Sequence, residues 1–275
     1  MYRRLNRAYA LASLQFLLVV AASAGSLLHA QGHVFRWGTA NTGAIQVITY
    51  AILNDHYTVP GGKSIISPDN CGSMHAFSTI TDQSPGITPD VAAQQLREAF
   101  AIWESVAAVK FIHVDDAERA NIVIGAADQP SGRAFTNLSY LTNQDSQPVS
   151  KALGKSDEYP SHAHTGQPET VAEIEQAYVC LNPTLPWKAG FDGNLRIYDL
   201  KYTFTHEIGH AIGLDHPGKT GAVMAYRYDE SVPKLSPSDI AAVQSIYGPN
   251  LTVTPPTTTL PGVNQLLPAT SFIRD

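Results

Sequence analysis

The sequence predicts an α+β domain in which a mostly parallel, twisted sheet is covered by two helices above a cleft. Three observations predict it. The elements read in the order strand, helix, strands, then two further helices, as expected of one sheet layer packed against helices. Apolar residues recur at helical spacing in some stretches, and short β-branched runs lie between them. The 275 residues, 44% hydrophobic and 15% charged, suffice for one core of about 200 residues plus appendages.

The first 30 residues stand apart from that core. Arg3, Arg4 and Arg7 precede an apolar stretch over residues 11–22, and small-residue cleavage sites follow at Ala24 and Ala30. The apolar run is shorter than the ~20 residues needed to span a bilayer, so a cleaved signal peptide is expected rather than a transmembrane anchor. Residues 44–53 (AIQVITYAIL) read as the first strand. A Gly/Pro/Ser/Asn-rich connection over residues 60–86 carries Cys71. Thr88 as N-cap, Pro89 in the first helical position and Asp90 in the first turn then start a helix of about five turns. Its apolar face is Val91, Leu96, Ala99, Phe100, Trp103 and Val106. Residues 110–114 and 121–125 are short strands, and residues 131–138 are a weaker candidate. No periodicity is visible over residues 139–169, a length that is unusual for a loop inside a compact domain. A strand resumes at residues 177–181, a helix covers residues 199–213, and a last helix starts at Ser236 with Asp239 in a capping arrangement. Gly248 and Pro249 stop it. The expected organisation is therefore a signal peptide over residues 1–30, a folded domain over 31–248 and a Thr/Pro-rich tail over 249–275.

Loss of the signal removes three arginines from the 18 Lys+Arg set against 24 acids, leaving a net charge of about −9. That charge argues against a nucleic-acid partner or an anionic membrane surface. The two cysteines, Cys71 and Cys180, are too few for a cysteine metal site. In an exported chain they read as one disulfide, with two buried thiols as the alternative.

The segment 205–216 (THEIGHAIGLDH) carries the chemistry. His206 and His210, four apart on a helix, present both imidazoles to one ion. Glu207 falls beside that ion, where a carboxylate can take a proton from an attacking water. Gly213 accepts a positive φ, so the chain can turn out of the helix and bring round His216 as third ligand. Three neutral nitrogens leave a fourth zinc position open, as a catalytic site requires. A bare His-Glu-x-x-His arises readily by chance, whereas the form extended by Gly213 and His216 is specific.

On these residues the chain resembles the metzincin zinc peptidases, and among them the matrixins. Met224, in Ala222-Val223-Met224-Ala225-Tyr226, resembles the methionine turn beneath the zinc of that clan, at the short spacing typical of matrixins. Residues 235–240 and 243–248 resemble the matrixin C-terminal helix, and the likeness extends over residues 44–248. It implies a five-stranded sheet with an active-site helix and a C-terminal helix. It also implies one antiparallel edge strand bordering the cleft, for which residues 133–137 are the candidate. An extended peptide could pair with that edge.

Three departures qualify the likeness. Cys71 follows the first strand, where a propeptide cysteine would precede it. The loop for a second, structural zinc has no room between residues 125 and 131, so one zinc is expected, and His162 and His164 read as solvent-exposed. Tyr226 stands where astacins and serralysins place an oxyanion-stabilising tyrosine and matrixins a proline; Tyr228 matches the matrixin pocket wall.

The resemblance implies a secreted zinc endopeptidase, acting as a monomer on extended polypeptides, with His206, His210 and His216 on the metal and Glu207 as general base. Calcium is allowed by the likeness, although no run of ligands demands it. A zinc hydrolase of another acyl bond, or an inactive binding module on the same fold, are the alternatives. Asn137 and Asn250 begin glycosylation sequons.

Overall fold

The computed structural model describes residues 29–30, 33–38, 44–60, 65–66, 70–141, 170–218 and 220–251. Most of the expected signal segment, residues 142–169 of the expected 139–169 loop with His162 and His164, and residues 252–275 of the expected tail lie outside them. Six strands matter for the site: β1 (His33–Arg36), β2 (Gln46–Ile52), β3 (Val109–His113), β4 (Ile122–Ala127), β5 (Ala134–Leu141) and β6 (Thr170–Leu181). Three helices accompany them: α1 (Pro89–Val106), α2 (Leu200–Ala211) and α3 (Pro237–Tyr247).

The main sheet runs β3–β2–β4–β6–β5, parallel up to the last strand and antiparallel there. All six residues of β4 are buried, as befits a central strand of a parallel sheet covered on both faces. β5 is the expected edge. Its Ala134 to Leu138 pair antiparallel with Leu181 to Ala177. The short strand Ile65–Ile66 pairs with Ser139 and Leu138 on its outer side. Among the described residues nothing pairs with the outer edge at residues 134–137. The structure lengthens two expectations. β5 runs on to Leu141, and β6 begins at Thr170, where residues 170–173 pair in parallel with β1.

Helix boundaries follow their capping chemistry. Thr88 Oγ1 accepts the Val91 amide, with Pro89 in the first turn, and the buried stripe of α1 is Ala92, Leu96, Ala99, Phe100 and Trp103. Ser236 and Asp239 form a reciprocal capping box at the start of α3. The helices share one face of the sheet and a core that includes Trp103, Phe204, Ile208 and Val243. The opposite face holds a smaller cluster around Met74, Tyr178 and the Cys71–Cys180 disulfide, whose Cα atoms are 5.7 Å apart. The bridge ties the connection after β2 to the end of β6. Asn137 is buried, so its sequon is closed to a glycan in the folded chain.

Candidate metal and active site

α2 starts at Asp199, whose carboxylate accepts the amides of Tyr202 (2.7 Å) and Gly190 (2.6 Å). The helix presents His206 and His210 on one face. Its end is a Schellman arrangement: the Leu214 amide bonds the Gly209 carbonyl (3.0 Å) and the Gly213 amide the His210 carbonyl (2.9 Å). Gly213 sits at φ 96°, the left-handed region that lets the chain reverse. The reversal returns His216 to the two helical rings.

The three Nε2 atoms converge, 3.1 Å apart for His206 and His216 and 3.2 Å for each of the other two pairs. His206 Nδ1 donates to the Val223 carbonyl and His210 Nδ1 to the Leu214 carbonyl, each at 2.7 Å. With the proton on Nδ1, Nε2 of His206 and Nε2 of His210 face each other as bare lone pairs 3.2 Å apart, a repulsion that a shared cation relieves. A tetrahedral zinc with bonds of ~2.0–2.1 Å has ligand–ligand edges of about 3.3–3.4 Å. The triad matches that size, and among the described residues it is the group able to hold a metal ion. Burial, reinforced by the neighbouring rings, pushes the imidazolium of His206 well below its ordinary value and that of His216 down to about 3. Both rings are thus kept neutral, as ligands must be.

Glu207 is buried beside the triad. Burial raises its carboxyl pKa, partly offset by His210, by Thr136 and by Arg133. Thr136 Oγ1, on β5, stands 2.8 Å from Glu207 Oε2 and 2.9 Å from the Glu207 carbonyl oxygen. Sequence reasoning missed this contact between edge strand and carboxylate, because a threonine on an edge strand carries no distinguishing pattern.

Met224 is buried directly under α2. A Cβ added at Gly209 would overlap its sulfur and come within 3.0 Å of Trp103. The turn is held from below by Asp239, whose carboxylate accepts the amides of Val223 (3.0 Å) and Ser236 (2.8 Å). The capping residue of α3 is therefore also the anchor of the turn, a double role that capping arithmetic alone did not show.

The two tyrosines separate. Tyr226 is 68% exposed, its ring edge-on to His216 at 5.5 Å between centroids. Tyr228 is half-buried and fixed; its hydroxyl accepts the Asp199 amide (3.0 Å) and donates to Glu230 (2.8 Å). Glu230 in turn pairs with Lys188 and accepts the Gly193 amide, which ties this wall to the loop before α2. Tyr198 and Tyr202 pack edge-on against Tyr228, giving an aromatic wall.

Residues 74–248 match the matrixin family. Human matrix metalloproteinase-16 is 30% identical over 196 residues, covering 69% of this chain and 29% of that protein. Metalloendoproteinase 1-MMP of Arabidopsis thaliana is 30% identical over 202 residues, 71% of this chain and 48% of that protein. Interstitial collagenase of Sus scrofa is 26% identical over 198 residues, 68% of this chain and 35% of that protein. The aligned region is under half the length of each of these relatives. The family implies zinc, in accord with the size of the triad. The edge strand, the histidine-bearing helix and the turn at Met224 all fall within the matched span, and the chain belongs to the matrixin family.

Proposed function

We propose that this protein is a secreted, zinc-dependent endopeptidase that hydrolyses peptide bonds of extended polypeptides. The observation that carries the reading is the convergence of three histidine Nε2 atoms next to a buried carboxylate, alongside a strand edge that is unpaired among the described residues. His206, His210 and His216 would hold one zinc ion. That ion, when bound, supplies Lewis acidity toward the scissile carbonyl and the attacking water. Residues 134–137 of β5 offer main-chain donors and acceptors to an extended substrate, which fixes the scissile bond over the triad. Glu207 accepts the water's proton and passes it to the leaving amine nitrogen, with Thr136 holding Oε2 in place. Tyr226, exposed and edge-on to His216, would donate to the developing oxyanion, and Tyr228 would wall the pocket for the residue after the scissile bond.

Export rests on the cationic and apolar pattern of the first 30 residues and on the disulfide. No helix among the described residues is long and apolar enough to cross a membrane. The reading includes one zinc per chain and a monomer.

The test is digestion of a broad peptide library with and without a chelator. Cleavage at internal bonds, lost on chelation and restored by zinc, supports the reading. Absence of any cleavage would favour an inactive binding module, and cleavage confined to ester or other acyl bonds a different zinc hydrolase.

A further inference from the structure

We infer that Arg133 is a specificity residue that recognises a carboxylate on the leaving-group side of the scissile bond. The inference rests on the peptidase reading above and deepens it by naming a substrate class. Arg133 directly precedes β5, the edge expected to pair with substrate, and its guanidinium reaches the rings of Tyr198 and Tyr228, the proposed pocket wall. The guanidinium carbon lies 4.5 Å from the ring centre of Tyr198 and 5.7 Å from that of Tyr228. Nη2 stands 3.5 Å from the Tyr226 carbonyl oxygen. Its charge is felt at His206, Glu207 and His216, which places it within electrostatic reach of the triad.

This cation is held but not neutralised. The carboxylates on this side of the site have other partners: Glu207 is bonded by Thr136, Glu230 is paired with Lys188 and Tyr228, and Asp199 caps α2. Among the described residues none forms an ion pair with Arg133. A guanidinium with its face on aromatic rings keeps N–H edges available, the geometry that grips a carboxylate in a bidentate pair. The side chain is half-buried, so such a pair is less screened than one on an open surface. Tyr228 is the proposed wall of the pocket after the scissile bond. Arg133 therefore faces the first few residues of the leaving fragment. The carboxylate can come from an aspartate or glutamate side chain, or from the free C-terminus of a substrate cut near its end.

Two sets of fluorogenic peptides separate the sources. One set carries Glu or Gln at each of the first three positions after the scissile bond, inside an amidated peptide. The other ends two or three residues after that bond as a free acid or an amide. The native enzyme should favour the carboxylate by about tenfold in kcat/KM in at least one set, the size of one charge-assisted contact. Arg133→Gln should shrink that ratio below about twofold, Arg133→Lys should keep part of it, and Arg133→Glu should shift preference toward Lys at the same position. A loss of folding quality would lower both members of each pair and leave their ratio intact. Equal cleavage of acid and amide by the native enzyme in both sets overturns the inference and leaves the peptidase reading standing. So does a preference that survives Arg133→Gln. Failure to cleave any peptide overturns both.

Discussion

Replacing Gly213 by alanine is the sharpest structural test, because it carries two separable costs. Gly213 adopts φ 96°, and a left-handed backbone costs an L-residue about 1–2 kcal/mol. An added Cβ would also overlap the carbonyl oxygen of Phe35 and come within 3.0 Å of its carbonyl carbon. That carbonyl cannot easily retreat: β1 pairs with β6 at Phe35 and Ala172, and the Phe35 ring packs edge-on against Tyr140 at 4.9 Å. Overpacking of this kind costs about 1–3 kcal/mol, so the total is about 2–5 kcal/mol, a large share of the ~5–15 kcal/mol that holds a domain together. Gly86 is the internal control. It has φ 90° but nothing within 4 Å of an added Cβ, so Gly86→Ala should cost only the backbone contribution of about 1–2 kcal/mol. Urea unfolding of both variants, with zinc removed and the disulfide intact, gives the two values. Because Leu214 supplies the carbonyl that fixes His210, Gly213→Ala should also weaken zinc binding by about 10- to 100-fold, with no such change in Gly86→Ala. If the two variants unfold within about 0.5 kcal/mol of each other, a margin typical of surface changes, the close approach to Phe35 is not what makes glycine necessary.

Tyr226→Phe should lower kcat by about 10²- to 10³-fold with little change in KM; a variant matching the parent would remove the tyrosine from the oxyanion role. Replacing both Cys71 and Cys180 by serine should cost about 2–5 kcal/mol in urea unfolding, since the bridge closes a long loop, and a loss under 1 kcal/mol would contradict that role. The pH dependence of the zinc-free protein follows from the buried rings. The unfolded chain binds protons at histidine below ~pH 6.5 while folded His206 and His216 resist. Stability is therefore full above that value and is lost as pH falls toward the folded value, about 3 for His216. Between pH 7 and 5 each ring should account for at most about 2 kcal/mol, less in proportion to its partial exposure. His216→Gln should flatten the fall, and an unchanged slope would refute the assignment.

Much of this was legible in the sequence because it rests on local chemistry. The caps at Thr88 and Ser236 mark the starts of α1 and α3, and Gly213 with the spaced histidines marks the end of α2 and the convergence of the triad. What stayed hidden depends on partners distant in the chain. β1 is four residues long, and the first half of β6 mixes Glu173, Glu175 and Gln176 among its apolar residues; each reads as a strand only beside the other. Thr136 meets Glu207 across 71 positions, through the register of β5 on β6, which no local pattern encodes. Asp239 was visible as a cap, but its grip on Val223 requires the Met224 turn to lie against α3.

The most direct test of the central claim is to measure zinc content and peptide turnover together in Glu207→Ala. The carboxylate is proposed as a proton acceptor and not as a ligand. The variant should thus retain one zinc per chain while turnover falls by about 10²- to 10⁴-fold, the usual worth of general-base help. Near-normal cleavage with zinc retained would contradict the proposed role of Glu207, and loss of the zinc itself would show that Glu207 belongs to the metal site.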